Sequence, residues 1–181
     1  MIYVFLAEGF EETEAIAPID MLRRAKCDVV TVGLTNDSAK SSHGILVLCD
    51  MTDLQVELDE RLEMIVLPGG TYGTMNLEKN PVVQASIDYC VKNNIPIGAI
   101  CAAPSILGKK GLLKGKKATA YPDYRKYLEG AEIAEKNVVT DGIFTTAAGA
   151  GVSVEFGLEL VRVLKGEEVA KTIHDTIQCE N

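Results

Sequence analysis

The stretch "IPIGAICAAPSILGKK" (residues 95–110) places a cysteine between an apolar run and a second apolar segment that opens with small residues. The run at 95–100 is apolar throughout rather than alternating, which predicts a strand buried on both faces. Pro104 fits the first turn of a helix, where its missing N–H costs nothing. The stretch therefore predicts a strand that ends at Cys101, followed directly by a helix that Gly111 ends.

The same order of strand and helix recurs along the chain. Two more runs, at 2–6 and 63–68, are apolar throughout and also predict buried strands. Other segments have strand or helix patterns: strands at 28–34, 45–49 and 117–121, a hairpin at 137–148 turning at Asp141-Gly142, and helices at 12–26, 80–94, 152–166 and 167–179. This alternation predicts an α/β sandwich with a mainly parallel sheet, formed by one domain over residues 1–181.

Two of the predicted helices carry more detailed expectations. In helix 12–26, Ile16, Ile19 and Leu22 recur at a spacing of three and predict one buried face. Pro18 is expected in the first turn of this helix or at a kink, because proline removes a backbone hydrogen bond from a helix interior. In helix 80–94, Asn80 is the predicted N-cap.

Composition narrows the class of protein. The chain has 26 acidic and 18 basic residues, a net charge of −8, so we expect no nucleic-acid partner. The basic stretch "GKKGLLKGKK" (108–117) is interpreted as a solvated helix end and turn. There is no signal-peptide pattern and no apolar run of about 18 residues, so we expect no membrane association. Five cysteines without a CxxC pair predict a reducing cytoplasm, no disulfide framework and no metal site.

Cys101 has two interpretations from its own segment. Small residues on both sides permit a sharp turn from strand to helix, as in a nucleophile elbow that exposes a side chain above the sheet. A helix N-terminus there would lower the thiol pKa. Against this, free cysteine is among the most buried residue types, and the neighbourhood is apolar. The segment alone leaves reaction and packing equally open.

Acidic residues follow the first strand, at the edge of a parallel sheet where ligands bind. The stretch "EGFEETEA" (8–15) contains four glutamates, and the first turn of a helix attracts acids for electrostatic reasons alone. Three of the four are therefore expected to be solvated. Glu14 lies away from the polar start of the helix, and we select it as the candidate partner of Cys101.

Two glycine-containing loops complete the candidate site. Gly69 and Gly70 follow the strand at 63–68, where their backbone N–H groups could face a developing oxyanion. Gly149 and Gly151 precede a helix as a G-x-G pair, but the third glycine and the downstream acid of a dinucleotide site are missing. We therefore expect a turn there and no cofactor.

Four motifs, "AEGFEETEA", "VLPGG", "AICAAPSIL" and "GAGVSVEFGLELV", occur in the order and spacing of the ThiJ/PfpI superfamily. Over essentially its whole length the chain resembles the branch that includes the Parkinson's-disease-linked protein, often described as a deglycase or redox sensor. This resemblance implies a flavodoxin-like three-layer sandwich and a homodimer with the active site close to the interface. It also assigns the reactive cysteine to Cys101, a protonated glutamate that hydrogen-bonds the sulfur to Glu14, and the pocket glycines to Gly69 and Gly70.

The chain also departs from that pattern. Protease-like members have a histidine directly after the cysteine, where this chain has Ala102, which disfavours peptide hydrolysis. The related branch has a histidine at the position of Tyr121, and tyrosine is a poor base near neutral pH. An arginine expected near the last glycine loop is replaced by Ala148, so an anion pocket there would be less basic.

The leading functional prediction is a cytoplasmic, cofactor-free enzyme that acts on small reactive carbonyls or their adducts. Cys101 would attack the carbonyl, the N–H groups of Gly70 and Ala102 would hold the oxyanion, and Glu14 or Tyr121 would move protons. The alternative is a redox sensor or stress chaperone in which Cys101 is oxidised to sulfinate without turnover. An amidase or protease is a weaker alternative, and an inert α/β fold with a buried cysteine is the simplest.

Overall fold

The structure, a computed structural model, describes residues 1–179. Its strands are β1 Ile2–Leu6, β2 Val29–Gly33, β3 Ser38–Lys40, β4 Leu46–Leu48, β5 Met51–Thr52, β6 Met64–Leu67, β7 Ile97–Ile100, β8 Lys117–Ala118, β9 Glu132–Ile133, β10 Val138–Asp141 and β11 Phe144–Ala147. Its α-helices are α1 Glu12–Arg24, α2 Thr71–Lys79, α3 Pro81–Asn93, α4 Pro104–Lys109, α5 Ser153–Lys165 and α6 Glu167–Thr176.

The predicted mainly parallel central sheet is confirmed. It has seven strands in the order β10-β11-β7-β6-β1-β2-β5. Ile2 of β1 pairs in parallel with Val29 on one side and Met64 on the other. Only the edge hairpin β10–β11 is antiparallel, with Asp141 opposite Phe144, as its Asp-Gly turn predicted.

Both faces of the sheet are covered, which makes the three-layer sandwich. Alternate residues of β1 belong to two different core clusters, because successive side chains of a strand point to opposite faces. Val4 packs with α1, α5 and α6 residues such as Leu22, Phe156 and Ile173. Phe5 packs in the cluster that includes Ile87 of α3. Burial on both sides explains why these strands are apolar at every position.

Several local predictions hold only in part. The strand predicted at 45–49 is confirmed as β4, but it pairs with β3 outside the central sheet, so its Leu46 and Leu48 remain 68% and 75% exposed. The main sheet instead ends at β5. The predicted strand at 117–121 shrinks to the two residues of β8, which pair with β9. Helix α2 was not predicted, because it begins after Gly70 without a capping side chain.

The predicted buried face of helix α1 is confirmed at two of its three residues. Ile16 is 45% exposed, whereas Ile19 and Leu22 are buried together with Ala15 and Pro18. Pro18 lies in the second turn, not in the first. Helix α3 agrees better with its prediction, because the side chain of its N-cap residue accepts hydrogen bonds from two backbone N–H groups of the first turn.

This topology determines where the candidate residues meet. The sheet order places β11, β7, β6 and β1 side by side, and parallel strands end at the same edge. The loops that follow these strands carry the glutamates after β1, the two glycines after β6, Cys101 and Gly149. Separately, none of the described helices combines the length and the apolar character needed to cross a membrane.

Candidate active site

Cys101 occupies a sharp turn between β7 and α4. Its φ is +63°, a left-handed conformation that costs a residue with a side chain about 1 kcal/mol or more. Hydrogen bonds on both sides hold the turn: the Cys101 N–H donates to the Ala147 carbonyl at 2.8 Å, and the Tyr121 N–H donates to the Cys101 carbonyl at 2.8 Å. Strained, well-anchored backbone of this kind clusters at functional sites, which favours reactivity over simple packing.

Glu14 is carried into the site by the first turn of α1. Glu11 caps this helix, and its carboxylate accepts a hydrogen bond from the Glu14 N–H at 2.7 Å. The Glu14 side chain is only 1% exposed, and its burial raises its pKa to about 7. The Cys101 side chain and the backbone N–H groups of Gly69 and Ala150 act in the opposite direction without cancelling the rise. Glu14 therefore retains its proton to a much higher pH than an exposed glutamate.

Gly69 lets the carboxyl group and the cysteine approach each other. A Cβ added to Gly69 would overlap Oε2 of Glu14, and it would lie 2.7 Å from Cβ of Cys101 and 2.9 Å from the Ile100 carbonyl oxygen. Oε2 is thus the carboxyl oxygen nearest this glycine, and it has no aligned hydrogen-bond partner among residues 1–179. A buried oxygen without a donor is the natural place for a carboxyl proton.

Cys101 and Glu14 oppose each other's ionisation. Burial raises the Cys101 pKa, and the negative charge of Glu14 raises it further, while the N–H groups of Gly70 and Ala102 lower it. This direction is opposite to the lowered pKa expected from a helix N-terminus, since α4 has only six residues and the carboxyl group lies alongside. Protonation of Glu14 removes its charge and turns it into a donor toward the sulfur. Around neutral pH the pair therefore carries at most one negative charge, because ionisation of one group disfavours ionisation of the other.

A cleft of about 480 Å³ opens at Cys101. Its lining combines predicted residues with new ones: Glu11, Gly70, Thr71, Cys101, Ala102, Tyr121, Asp123, Tyr124, Lys126 and Tyr127. Glu14 and Gly69 lie behind this lining, against Cys101. Gly149 does not line the cleft, but a Cβ there would be 3.6 Å from the Tyr121 ring and 4.0 Å from Oε1 of Glu14. The structure thus brings together every residue selected from the sequence.

One wall of the cleft was missed from the sequence. It is a 3₁₀ helix, Pro122–Tyr127, directly after Tyr121. Tyr121, Tyr124 and Tyr127 are spaced three apart, which places side chains on one side of a 3₁₀ helix. A proline followed by tyrosines at this spacing was the available signal.

A possible cation-ligand group lies beside the cleft. The side chains of Glu11, Glu12 and His43 bring one ligand atom each within 4.8 Å of one another. Nδ1 of His43 is 3.0 Å from Oε1 of Glu12, and this exposed histidine forms an ordinary surface ion pair when protonated. The contact accounts for the cluster without a metal.

Comparison with known proteins gives a consistent result. A family model described as DJ-1/PfpI family matches residues 1–163. Protein dj-1beta of Drosophila melanogaster is 35% identical over 173 residues, covering 94% of this chain and 92% of the fly protein. Glutathione-independent glyoxalase DJR-1.2 of Caenorhabditis elegans is 30% identical over 167 residues, covering 92% and 89% of the two chains.

Two further matches concern length and fold. Protein DJ-1 homolog B of Arabidopsis thaliana is 37% identical over 169 residues, which are 92% of this chain but only 38% of the plant protein. The solved structure of oxidised DJ-1 from Toxoplasma gondii superposes with a TM-score of 0.94 at 31% identity, covering 99% of this chain and 98% of that one.

Proposed function

The chain belongs to the DJ-1/PfpI family, and we propose that it is a cofactor-free enzyme in which Cys101 attacks small reactive carbonyls or their adducts. The observation that carries the proposal is the contact between Cys101 and the buried Glu14 at the base of an open cleft. A relative named as a glutathione-independent glyoxalase supports the same reaction class.

The first step forms a bond between sulfur and carbon. The Cys101 thiolate attacks the aldehyde carbon of a dicarbonyl such as methylglyoxal, and the C=O electron pair moves to oxygen, giving a hemithioacetal. The N–H groups of Gly70 and Ala102 lie near the sulfur and are suited to hold the oxyanion. Protonated Glu14 then gives its proton to that oxygen, so the negative charge passes to the carboxylate.

The remaining steps move protons and add water. The Glu14 carboxylate removes the proton from the carbon attached to sulfur, and the adjacent carbon is reprotonated, which converts the hemithioacetal into a thioester. Water hydrolyses the thioester, releasing a hydroxy acid and restoring the thiolate. Tyr121, whose side chain lines the cleft, is the proposed second proton carrier. Atoms balance without a redox cofactor, since one carbon is oxidised as its neighbour is reduced.

A second candidate is a redox sensor that needs no turnover. Its support is that the two backbone N–H groups and Glu14 surround the sulfur and would also hold the oxygens of a sulfinate. An oxidised relative has been solved with nearly the same fold. By contrast, a protease is disfavoured because Ala102 follows Cys101 and neither His43 nor His174 is among the described residues that line the cleft.

A homodimer is also proposed. The separate β3–β4 sheet presents Ile45, Leu46 and Leu48 to solvent at 54%, 68% and 75% exposure. Exposed apolar clusters of this kind mark interaction surfaces. Light scattering of the protein and of a Leu46→Lys, Leu48→Lys variant tests this: we expect a dimer and a monomer, respectively, and a monomeric parent protein would contradict it.

The carbonyl reaction is tested by incubating methylglyoxal with the protein in the absence of glutathione. We expect stoichiometric hydroxy acid from the parent protein and no product above background from Cys101→Ser. Cys90→Ser is the matched control. Cys90 is buried in the core under α3, away from the cleft, so this variant should keep full activity. Turnover that persists in Cys101→Ser refutes the proposed reaction at Cys101. Oxidation of Cys101 to sulfinate without any turnover favours the redox sensor.

A further inference from the structure

Positive charge is concentrated in one segment of this acidic chain. Residues 109–126 contain one acid and seven bases, in a protein of net charge −8: Asp123 against Lys109, Lys110, Lys114, Lys116, Lys117, Arg125 and Lys126. From the sequence, the part of this segment within residues 108–117 is interpreted as a solvated helix end and turn. In the structure, Lys109, Lys114 and Lys126 line a groove beside the Cys101 cleft.

A groove of about 740 Å³ adjoins the cleft. We call it the lysine groove and define it by Lys109, Lys114, Lys126 and Tyr127. Lys126 and Tyr127 also line the Cys101 cleft, so the two spaces share a wall. Both volumes fall in the range of roughly 300–1,000 Å³ that is usual for ligands much larger than a three-carbon dicarbonyl.

Two of the groove's lysines lack an acidic partner. Four lysines of the segment form ion pairs: Lys109 with Glu78, Lys110 with Asp88, Lys116 with Asp141 and Lys117 with Glu132. Within residues 1–179, Lys114 and Lys126 make no such pair. The one acid lining the groove is Glu129. Arg125 also has no acidic partner among the described residues, but its Nε donates to the Ala120 carbonyl. The two uncompensated ammonium groups, those of Lys114 and Lys126, both lie in the lysine groove.

The aromatic ring between the lysines fixes their arrangement. Nζ of Lys109 lies 4.8 Å and Nζ of Lys126 lies 5.2 Å from the centre of the Tyr127 ring. Such contacts hold ammonium groups in place while leaving their N–H donors free for a ligand. The Cys101 cleft, on the other side of the shared wall, is less positive than the groove, because Glu11 and Asp123 line it. An anionic group is consequently favoured in the groove and disfavoured next to Cys101.

We propose that the lysine groove binds the phosphate or carboxylate group of an extended substrate whose carbonyl reaches Cys101 through the cleft. This inference rests on the proposed carbonyl chemistry and names its substrate class as anionic aldehydes or anionic adducts. Lys114 and Lys126 bind the anion, and the ring of Tyr127 separates it from the reacting carbon.

The test uses protection of Cys101, which requires no turnover. Iodoacetamide alkylation of Cys101 is followed by mass spectrometry in the presence of glyceraldehyde 3-phosphate or of glyceraldehyde. We expect the phosphorylated aldehyde to protect at a concentration about tenfold lower, as two charge-assisted contacts permit. If both aldehydes protect Cys101 and do so at the same concentration, the proposal is overturned. Succinic semialdehyde against butanal gives the same comparison for a carboxylate and identifies which anion is preferred.

Lysine variants assign the effect to the groove. In the double variant Lys114→Gln, Lys126→Gln, the ratio between the protecting concentrations of the neutral and the anionic aldehyde should fall to about twofold or less. Lys116→Gln, Lys117→Gln removes the same charge from the same segment outside the groove and should keep the advantage. Loss in both double variants indicates general electrostatic attraction and overturns the proposal. Circular dichroism confirms that each variant is folded.

A second measurement separates this proposal from the proposed function. Inorganic pyrophosphate is titrated into the protein by calorimetry, a readout independent of Cys101. The anion site in the lysine groove is supported if pyrophosphate binding weakens at least fivefold in Lys114→Gln, Lys126→Gln but not in Lys116→Gln, Lys117→Gln. This support holds even if neither aldehyde protects Cys101. Lack of protection by both aldehydes would refute only the proposed carbonyl chemistry at Cys101. If pyrophosphate does not bind, or if its binding is unchanged in Lys114→Gln, Lys126→Gln, the proposal that the lysine groove binds an anion is overturned.

Discussion

Glu14→Gln should change how the stability of the protein depends on pH. Burial raises the Glu14 pKa from the model-compound value of 4.5 to about 7 in the folded state. Below pH 4.5 the carboxyl group is neutral in both the folded and unfolded chains and contributes nothing. Between these two values the unfolded chain ionises while the folded chain does not, so the free energy of unfolding falls as pH rises.

The size of this effect follows from the two pKa values. Each unit of difference is worth about 1.4 kcal/mol, so the shift amounts to about 3 kcal/mol once the pH exceeds 7. At 1% exposure, solvent screening does little to reduce it. Glutamine has nearly the same shape and no charge, so the variant should avoid this loss. Its stability relative to the parent protein should rise by about 3 kcal/mol between pH 4.5 and pH 7.5.

Urea unfolding under reducing conditions at half-unit pH steps measures this difference. Glu155→Gln is the matched control: it removes an exposed glutamate from the first turn of α5, and its stability should remain parallel to that of the parent protein. A constant difference between Glu14→Gln and the parent protein across this range would show that Glu14 ionises as an ordinary glutamate. The raised Glu14 pKa, and with it the mutual opposition of Glu14 and Cys101, would then be refuted.

Three other substitutions test separate parts of the site and fold. Gly69→Ala should destabilise the protein by about 1–3 kcal/mol in thermal unfolding and slow Cys101 alkylation, because the added Cβ overlaps Glu14 and Cys101. Gly151→Ala is the control: its Cβ meets no atom within 4 Å, so neither stability nor alkylation should change. Asn80→Ala should lower the free energy of unfolding by about 1 kcal/mol through loss of the α3 cap, and an unchanged urea midpoint would contradict that role. Tyr121→Phe should reduce methylglyoxal turnover by about 100-fold while leaving alkylation unchanged, and full turnover would exclude the hydroxyl as a proton carrier.

Much of the layout could be predicted from local patterns. The apolar runs that became β1, β6 and β7 indicated a sheet covered on both faces, and the small residues around Cys101 indicated a sharp turn. Because parallel strands end at the same edge of a sheet, the loops with the glutamates and the glycines were expected near the cysteine. Glu14 was distinguished from its neighbours only by its position on the helix and by the family resemblance, and its chemical role stays a prediction.

Other features depend on contacts between distant parts of the chain. The close approach that requires Gly69 involves three separate loops, and no single segment signals it. The raised Cys101 pKa depends on burial and on the Glu14 charge, which outweigh the effect expected from a short helix. Leu46 and Leu48 look like core residues in sequence, yet they are exposed because β4 pairs with β3 instead of joining the central sheet.

The central claim is that Cys101 and Glu14 oppose each other's ionisation, and the pH dependence of Cys101 alkylation tests it most directly. In the parent protein the alkylation rate should rise only at a pH well above that of a free thiol, because burial and the charge of Glu14 both raise the Cys101 pKa. In Glu14→Gln that charge is absent, so the rate should rise at a lower pH than in the parent protein. Two profiles of the same shape, both rising through the value of about 8.5 typical of a free thiol, would contradict the account.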